Sequence, residues 1–483
     1  MKGVNGLAVL DSIEPKRVMY YFEKLCSVPH GSGNTGEATK LCREFAKDNN
    51  LEYYEDSLGN CVITKNATPG YENSPAVILQ GHLDMVCEKA KECNIDMSKE
   101  GLKLNISGDD IYAEGTTLGG DDGIAVAMML AILEDKSISH PKIEALFTVD
   151  EEIGMIGATA LDASGLTGRY LINLDSEDEG VFTVSCAGGV VAVCTIPVDR
   201  EDFSGNSYRL EISGLCGGHS GAEIDKGRAN ADVLIGRILN EISNHMAMRI
   251  ISVNGGLKDN AIPVSAVAEI ICEKDPVDIV CKMQDAFTNE FVVAESSISV
   301  NSCSIHKSGI PMSESSTNKI ITALCCYPNG IQSMSLEIEG LVKTSLNLGV
   351  LRTEEDCVVA NFCVRSSVFT EKEALVDKLV LLTKALGGSV VTEGDYPPWE
   401  YKRDSKLRDI MVEVFEKMYN KKPVIEAIHA GIECGILSGK MPGLECVSIG
   451  PDIRDIHTPA ERMSIASVQR VWRYLLEVLS KIK

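Results

Sequence analysis

Three apolar runs in this sequence stop in clusters of histidine and carboxylate. Ala76-Val77-Ile78-Leu79-Gln80 leads into His82-Leu83-Asp84, Ala145-Leu146-Phe147-Thr148-Val149 into Asp150-Glu151-Glu152-Ile153-Gly154, and Tyr170-Leu171-Ile172-Asn173-Leu174 into Asp175-Ser176-Glu177-Asp178. A further pair, Asp121-Asp122, follows Gly119-Gly120 and opens the apolar stretch Ile124–Leu133. In open α/β sheets ligands bind beyond the carboxyl ends of the strands, so parallel strands would bring these clusters to one edge. Gathered there, the carboxylates repel one another unless cations sit between them, and His nitrogen with Asp/Glu oxygen is a donor set that suits zinc. Two divalent ions are the economical solution. Asp121 can place one carboxylate between both, His82 and Asp175 can complete one site, and Glu152 with a distant histidine can complete the other.

Each cluster alone has an ordinary reading. A histidine after a strand is commonly a hydrogen-bonded structural residue, Asp150-Glu151-Glu152 could be the charged start of a helix, and Ser176-Glu177-Asp178-Glu179 reads as a solvated loop. We keep that last reading. The others would have to hold together with the same strand-end placement, which favours the metal site. Asp84, two residues beyond His82, can hold the second ring nitrogen so that the first faces a metal. Glu151 projects differently from Glu152 and is free to take a proton from a water that the metal acidifies, which makes metal-assisted hydrolysis the natural reaction class. Competing hydrolase and phosphate-loop signatures are absent: there is no H-E-x-x-H, G-x-S-x-G or G-x-x-x-x-G-K-[ST].

The elements that must position these groups alternate strand and helix up to about residue 185, the pattern of an α/β sheet protein. Ile124–Leu133 predicts a buried helix with two aspartates at its start. The character changes near Ala187-Gly188-Gly189. Strands are expected at Arg209–Ile212, Ala266–Ile270 and Cys357–Arg365, with helices at about 225–248 and 371–386. Leu210-Glu211-Ile212-Ser213-Gly214-Leu215 is echoed by Leu336-Glu337-Ile338-Glu339-Gly340-Leu341, by chance or as the trace of two similar α+β units. After Tyr396-Pro397-Pro398-Trp399, read as a linker, the α/β pattern returns. It predicts a helix near 405–419, a strand at Val424–Ile428, a helix from Ile432 to Ser438, a strand at Cys446–Ile449 and a closing amphipathic helix from Ser464 to Lys481. The expected fold is thus α/β: a discontinuous catalytic domain (1–186 and 397–483) with a mixed, mainly parallel sheet covered by helices, interrupted by an inserted α+β domain (187–396) that the resemblance drawn below makes a lid.

Composition narrows the partners. Across 483 residues, Lys+Arg 46 against Asp+Glu 70 gives a net charge of −24. An acidic surface repels phosphate, which argues against nucleic acid and anionic membranes. Met1–Leu7 has no apolar stretch of a leader peptide, and Ile124–Leu133 is about half of the roughly 20 residues needed to cross a bilayer. The 17 cysteines include no C-x-x-C pair and read as reduced thiols in a cytoplasmic protein.

The order H-x-D, G-G-D-D-G, D-E-E-x-G, L-D-S-E and I-H-T-P-A-E-R resembles the co-catalytic zinc peptidases that include carnosinases, aminoacylases and glutamate carboxypeptidases. The wordings G-H-L-D-M-V-C-E-K, T-L-G-G-D-D-G-I-A, H-A-G-I-E-C-G and D-I-H-T-P-A-E-R are similar to the aminoacyl-histidine (Xaa-His) dipeptidase branch, and the likeness spans nearly the whole chain. The resemblance implies that Asp121 bridges two metals, with His82 and Asp175 on one and Glu152 and His457 on the other. It makes Glu151 the general base and Asp84 the residue that orients His82. It makes His219, in Leu215-Cys216-Gly217-Gly218-His219-Ser220-Gly221, a lid histidine that helps stabilise the oxyanion, and Asn260 a lid residue near the substrate. Arg365 could fork onto a dipeptide's C-terminal carboxylate or pair with a nearby acid. His429, in the loop His429–Gly435, is a candidate substrate contact. His30, His140, His245 and His306 read as surface or structural residues.

The activity implied is hydrolysis of Xaa-His (carnosine-like) and other dipeptides with two zinc ions, or manganese or cobalt in their place. An N-acyl amino acid deacylase, a tripeptide aminopeptidase and a non-enzymatic metal- or peptide-binding relative are the alternatives, the last disfavoured by an intact Glu151. Lids in this superfamily commonly form homodimers, yet a duplicated lid could replace the partner, so both states stay open.

Overall fold

The computed structural model describes residues 9–306 and 309–483; the Met1–Leu7 stretch read for a leader lies outside them. The chain forms two compact units, one of Met1–Ser185, Tyr401–Ala427 and Ile432–Lys483, the other of Cys186–Glu400 and Ile428–Gly431. The return of Ile428–Gly431 to the second unit interrupts what reads in sequence as one terminal stretch.

The first unit is built on an eight-stranded sheet in the order Glu52–Glu55, Cys61–Lys65, Ile143–Thr148, Val77–His82, Tyr170–Asn173, Glu445–Ser448, Val181–Cys186, Val424–Ile428. Its four central strands, from Ile143–Thr148 to Glu445–Ser448, are mutually parallel, while Cys61–Lys65 is antiparallel to both Glu52–Glu55 and Ile143–Thr148, and Val181–Cys186 to Glu445–Ser448. Strands buried on both faces need apolar residues throughout, and Val77–His82, Ile143–Thr148 and Tyr170–Asn173 are buried at every position. The helix Gly120–Glu134 is apolar all round from Ile124 to Leu133 and correspondingly buried. It crosses Val77–His82 so closely that a Cβ on Gly81 would lie 2.4 Å from an Asp122 oxygen and 2.8 Å from Ala125 Cβ. A small sheet of Ile453–Arg454, Arg462–Ser464, Asp110–Ala113 and Leu104–Ser107 frames the turn that carries His457.

The second unit is built on a nine-stranded sheet with the helices Ala231–His245, Val277–Glu290, Glu314–Cys326 and Phe369–Ala385, whose apolar residues share a single core with it, and a two-stranded ribbon pairs Gly218–His219 with Ala261–Ile262. Eight strands follow the order Ser299–Ile305, Asn206–Ser213, Ala266–Cys272, Met248–Gly255, Val342–Thr353, Cys357–Ser366, Gly188–Pro197, Ser389–Tyr396, and Gly330–Met334 pairs with Val342–Thr353. The first four form a βαββαβ arrangement with Ala231–His245 and Val277–Glu290. The other four form a second one with Glu314–Cys326 and Phe369–Ala385, and the two halves join where Gly255 pairs with Leu351. The Leu-Glu-Ile echo does not mark this duplication. Leu210 and Ile212 are buried in a central strand, whereas Leu336–Leu341 is a turn with Leu336 100% exposed.

Two other expectations are corrected. The helix expected from about 225 starts at Ala231, because Gly227 takes the left-handed conformation and Asn230 caps the helix through Asp232 N–H and Val233 N–H. Tyr396–Trp399 is no free linker: Tyr396 ends a strand, and Trp399, 5% exposed, exchanges backbone hydrogen bonds with Cys186. All 17 cysteines are free thiols, and among the described residues no helix is long and apolar enough to cross a membrane.

Candidate metal centre

The parallel core delivers its polar ends to one place. His82 pairs in register with Thr148, and Gln80 with Asn173, so the residues just beyond Thr148 and Asn173 arrive beside His82. Beneath them lies a buried polar layer. Gln80 Nε2 donates to Glu433 (2.5 Å) and Thr148 (3.2 Å), Thr148 donates to Glu433 (2.7 Å), and Asn173 Nδ2 donates to Gln80 Oε1 (2.6 Å). These bonds tie three strands and the helix Glu433–Lys440 together directly under the cluster.

Asp121 sits between two histidines. Its Oδ1 is 3.1 Å from His82 Nε2, and its Oδ2 is 3.2 Å from His457 Nε2. Asp175 Oδ1 is 3.4 Å from His82 Nε2, and Glu152 Oε1 is 2.9 Å from His457 Nε2. Three sets, His82/Asp121/Asp175, Asp121/Glu152/His457 and His82/Glu151/Glu152, each bring one donor atom per residue within 4.8 Å of the others. Two three-residue nitrogen-and-oxygen sets that share one carboxylate fit a pair of divalent ions.

Asp84 does more than face His82. The ring Nδ1 of His82 lies 3.0 Å from the Asp84 carbonyl oxygen and 3.5 Å from its carboxylate, while that carboxylate accepts from Glu151 N–H (3.0 Å), Glu152 N–H (3.3 Å) and Ser32 Oγ (2.8 Å). It therefore holds the turn bearing both glutamates. Asp122, the buried neighbour of Asp121, accepts from His82 N–H at 3.1 Å.

The crowding shows in the protonation equilibria. Burial, reinforced by Glu433, Glu152 and Asp121 and opposed by His82, pushes the Glu151 carboxyl up to about 8. Burial also holds Asp175 well above the usual carboxylate range. Hydrogen bonds that its ring donates to Asp121 and Glu152 raise His457 to about 10. Burial alone would lower His82, but Asp175, Asp121 and Asp84 outweigh it and raise it. A base perturbed toward neutrality beside ligand-type groups is the pattern of a hydrolytic site.

The Ser176–Glu179 run is not the solvated loop its composition suggests. Only Asp178 is exposed: Ser176 bonds Ser448 (2.7 Å), Glu179 pairs with Arg470 (2.6 Å), and burial with the nearby Asp121 pushes Glu177 up to about 7. Glu433 escaped the sequence reading as well, although it stands inside the H-A-G-I-E-C-G wording. It is fully buried, with its carboxyl raised to about 7 chiefly by burial.

The second unit brings His219, Arg365 and His429 together around one glycine. A Cβ on Gly221 would lie 2.6 Å from the His429 carbonyl oxygen, 3.0 Å from His219 Cε1 and 3.1 Å from Arg365 Nε. Arg365, 8% exposed, donates from Nη1 to the Tyr396 hydroxyl (3.1 Å), and its buried Nε has no partner. His429 Nε2 lies 2.7 Å from Ser345 Oγ and its buried Nδ1 has no partner; burial, Arg365 and His219 lower its pKa to about 3. His219 Nδ1 accepts from Gly221 and Ala222 N–H (3.2 and 3.0 Å), which leaves the proton of the neutral ring on Nε2. Asn260 is exposed beside it: its carbonyl accepts from Ser220 N–H, and with Gly218 and His219 it lines a cavity of about 540 Å³. Of the remaining histidines, His30 and His140 are buried and bonded to backbone carbonyls, and His245 bonds the Glu241 carbonyl.

Comparison with known proteins shows the family. The chain is 35% identical over 482 residues, 99% of each chain, to the cytosol non-specific dipeptidase of Escherichia coli. Its fold matches the crystal structure of aminoacylhistidine dipeptidase from Vibrio alginolyticus with a TM-score of 0.93 and 34% identity, covering 98% of both chains. An aminopeptidase of Bacillus cereus shares the fold at 17% identity, with a TM-score of 0.57 over 97% of this chain and 99% of that one. The profile of peptidase family M20/M25/M40 matches residues 78–481, and the chain belongs to that family of metallopeptidases.

Proposed function

We propose that the protein is a cytoplasmic two-metal dipeptidase that hydrolyses Xaa-His and related dipeptides. The observation that carries this reading is Asp121, whose two oxygens face His82 and His457 separately while Asp175 and Glu152 complete one donor set on each side. The names of the 34–35% identical relatives support the substrate class. His82, Asp121 and Asp175 would hold one ion and Asp121, Glu152 and His457 the other; zinc suits the donors, and manganese or cobalt would also be accepted. When bound, the ions polarise the peptide carbonyl and acidify water.

Glu151 takes the proton of the attacking water and delivers it to the leaving amine. Asp84 keeps Glu151 aligned through its backbone N–H. The Nε2–H of His219 donates to the oxyanion. Arg365, with Asn260 and His429, takes the substrate's terminal carboxylate, for which the guanidinium is a forked donor. The test is a hydrolysis panel with the purified protein: Xaa-His and other dipeptides, a tripeptide and an N-acetyl amino acid, each with and without chelator. Dipeptides are expected to be cleaved fastest and only without chelator; faster release from the tripeptide or the N-acetyl compound would overturn the dipeptidase reading.

A further inference from the structure

The candidate ligands differ in what holds them. His82 and Asp175 follow fully buried parallel strands, whereas Glu152 lies in a turn and His457 lies on a half-exposed turn with φ +61°. The strands themselves fix the first pair; the separation of Asp121 from His457 needs another brace.

Glu461 lies four residues beyond His457 and is 2% exposed. Its Oε2 accepts from the N–H groups of Leu118 (2.7 Å) and Gly119 (3.1 Å), and its Oε1 from Gly120 N–H (2.8 Å). These groups lead straight into Asp121. They stand at a helix start, where N–H groups lack intrahelical partners, and Gly119 at the capping position has no side chain to serve them. A carboxylate is the acceptor best suited to several such donors. On its own side Glu461 is tied to the histidine turn: its N–H donates to the Thr458 carbonyl (3.1 Å), and Thr458 Oγ1 accepts from Ala460 N–H (3.1 Å) and donates to the Asp455 carbonyl (2.7 Å). The next residues, Arg462–Ser464, are locked in the small sheet against Ile453–Arg454 and Asp110–Ala113.

We propose that Glu461 is a positioning residue that sets the spacing between the Asp121 loop and the His457 turn, and so the affinity for the ion held by Asp121, Glu152 and His457. This rests on reading those three as metal ligands.

The test is a calorimetric titration of the chelator-stripped full chain with zinc chloride. The unaltered protein is expected to take two ions. Glu461→Gln, which keeps the size but offers one acceptor oxygen and turns an NH₂ toward the backbone donors, is expected to take one ion at unchanged affinity and the second about 10- to 100-fold more weakly. Excess zinc should then restore its peptide hydrolysis. Glu461→Asp, one methylene shorter with its charge kept, should lose less. Two ions bound by Glu461→Gln as in the unaltered protein, with only a lower unfolding temperature of the metal-free chain, would make the residue merely structural and overturn the proposal. Failure of both variants to fold would overturn it too. His457→Ala and Asp121→Asn separate the layers: if they bind two ions as tightly as the parent, the ligand assignment itself fails; if they lose an ion and Glu461→Gln does not, only the proposal fails.

Discussion

In the first unit, Asp84, Asp121, Glu151, Glu152 and Asp175 crowd around two histidines; in the second, a buried guanidinium stands among two histidines held neutral, with donor and ring nitrogens left unpartnered. The first arrangement has a surplus of buried negative charge that cations relieve. The second has a surplus of buried donors that an anion relieves. Neither is a stable way to build a core, since unpaired buried charge costs free energy, which is why both clusters enter the proposed function.

The contrast can be broken most severely at Glu151. Glu151→Gln should lower kcat by about 10²- to 10⁴-fold, the usual share of acid–base catalysis, with both metals still counted by elemental analysis. Residual turnover near that of the parent would move the base elsewhere.

Arg365→Lys tests the second surplus. Losing a forked, charge-assisted contact of about 2 kcal/mol should raise KM for a dipeptide about 30-fold while barely changing KM for the same dipeptide as its C-terminal amide. An equal rise for both would mean that Arg365 does not read the carboxylate.

Metal removal should act on stability as well. At about 100 times their Kd, bound ions stabilise by about 2.7 kcal/mol each, so stripping should lower the unfolding temperature and re-addition should restore it. Gly221→Ala should cost about 1–3 kcal/mol by overpacking the cluster and should weaken dipeptide binding, whereas Gly36→Ala, with open space around it, should leave both unchanged.

The smallest effect concerns pH. The His429 ring protonates near 3 in the fold, against about 6.5 for an ordinary histidine. Between those values the unfolded chain binds a proton that the folded chain refuses, so stability falls as pH drops through the window. His429→Gln should shallow that fall in chemical denaturation series; an unchanged slope would mean that other groups cause it.

The strand-end clusters were legible because each polar group directly follows an apolar run, so reading the strand also reads where its end goes. The buried helix announced itself by being apolar all round. What was not legible depends on partners far away in sequence. Glu179 reads as a loop acid until Arg470 is found 291 residues later, Glu461 is 341 residues from Gly120, and Glu433 is 353 from Gln80. No periodicity carries such pairings. The Leu-Glu-Ile echo misled for the opposite reason: its first four residues end a strand in one place and lie in a turn in the other, because neighbours on the sheet, not local propensity, decide which forms.

The position of Glu445–Ser448 has a consequence for synthesis. This strand lies beside Tyr170–Asn173 in the middle of the first sheet, yet it is made among the last 40 or so residues, tens of seconds after its partner at about 5–20 residues per second. Until then the apolar strand Tyr-Leu-Ile-Asn has an open edge of the kind that recruits foreign strands. His457 emerges later still, so on the proposed ligand set an unfinished chain on the ribosome would lack one of the two histidines that hold the ions. A chain stopped short of Glu445 is expected to leave that edge open and to aggregate more readily than one that reaches past it.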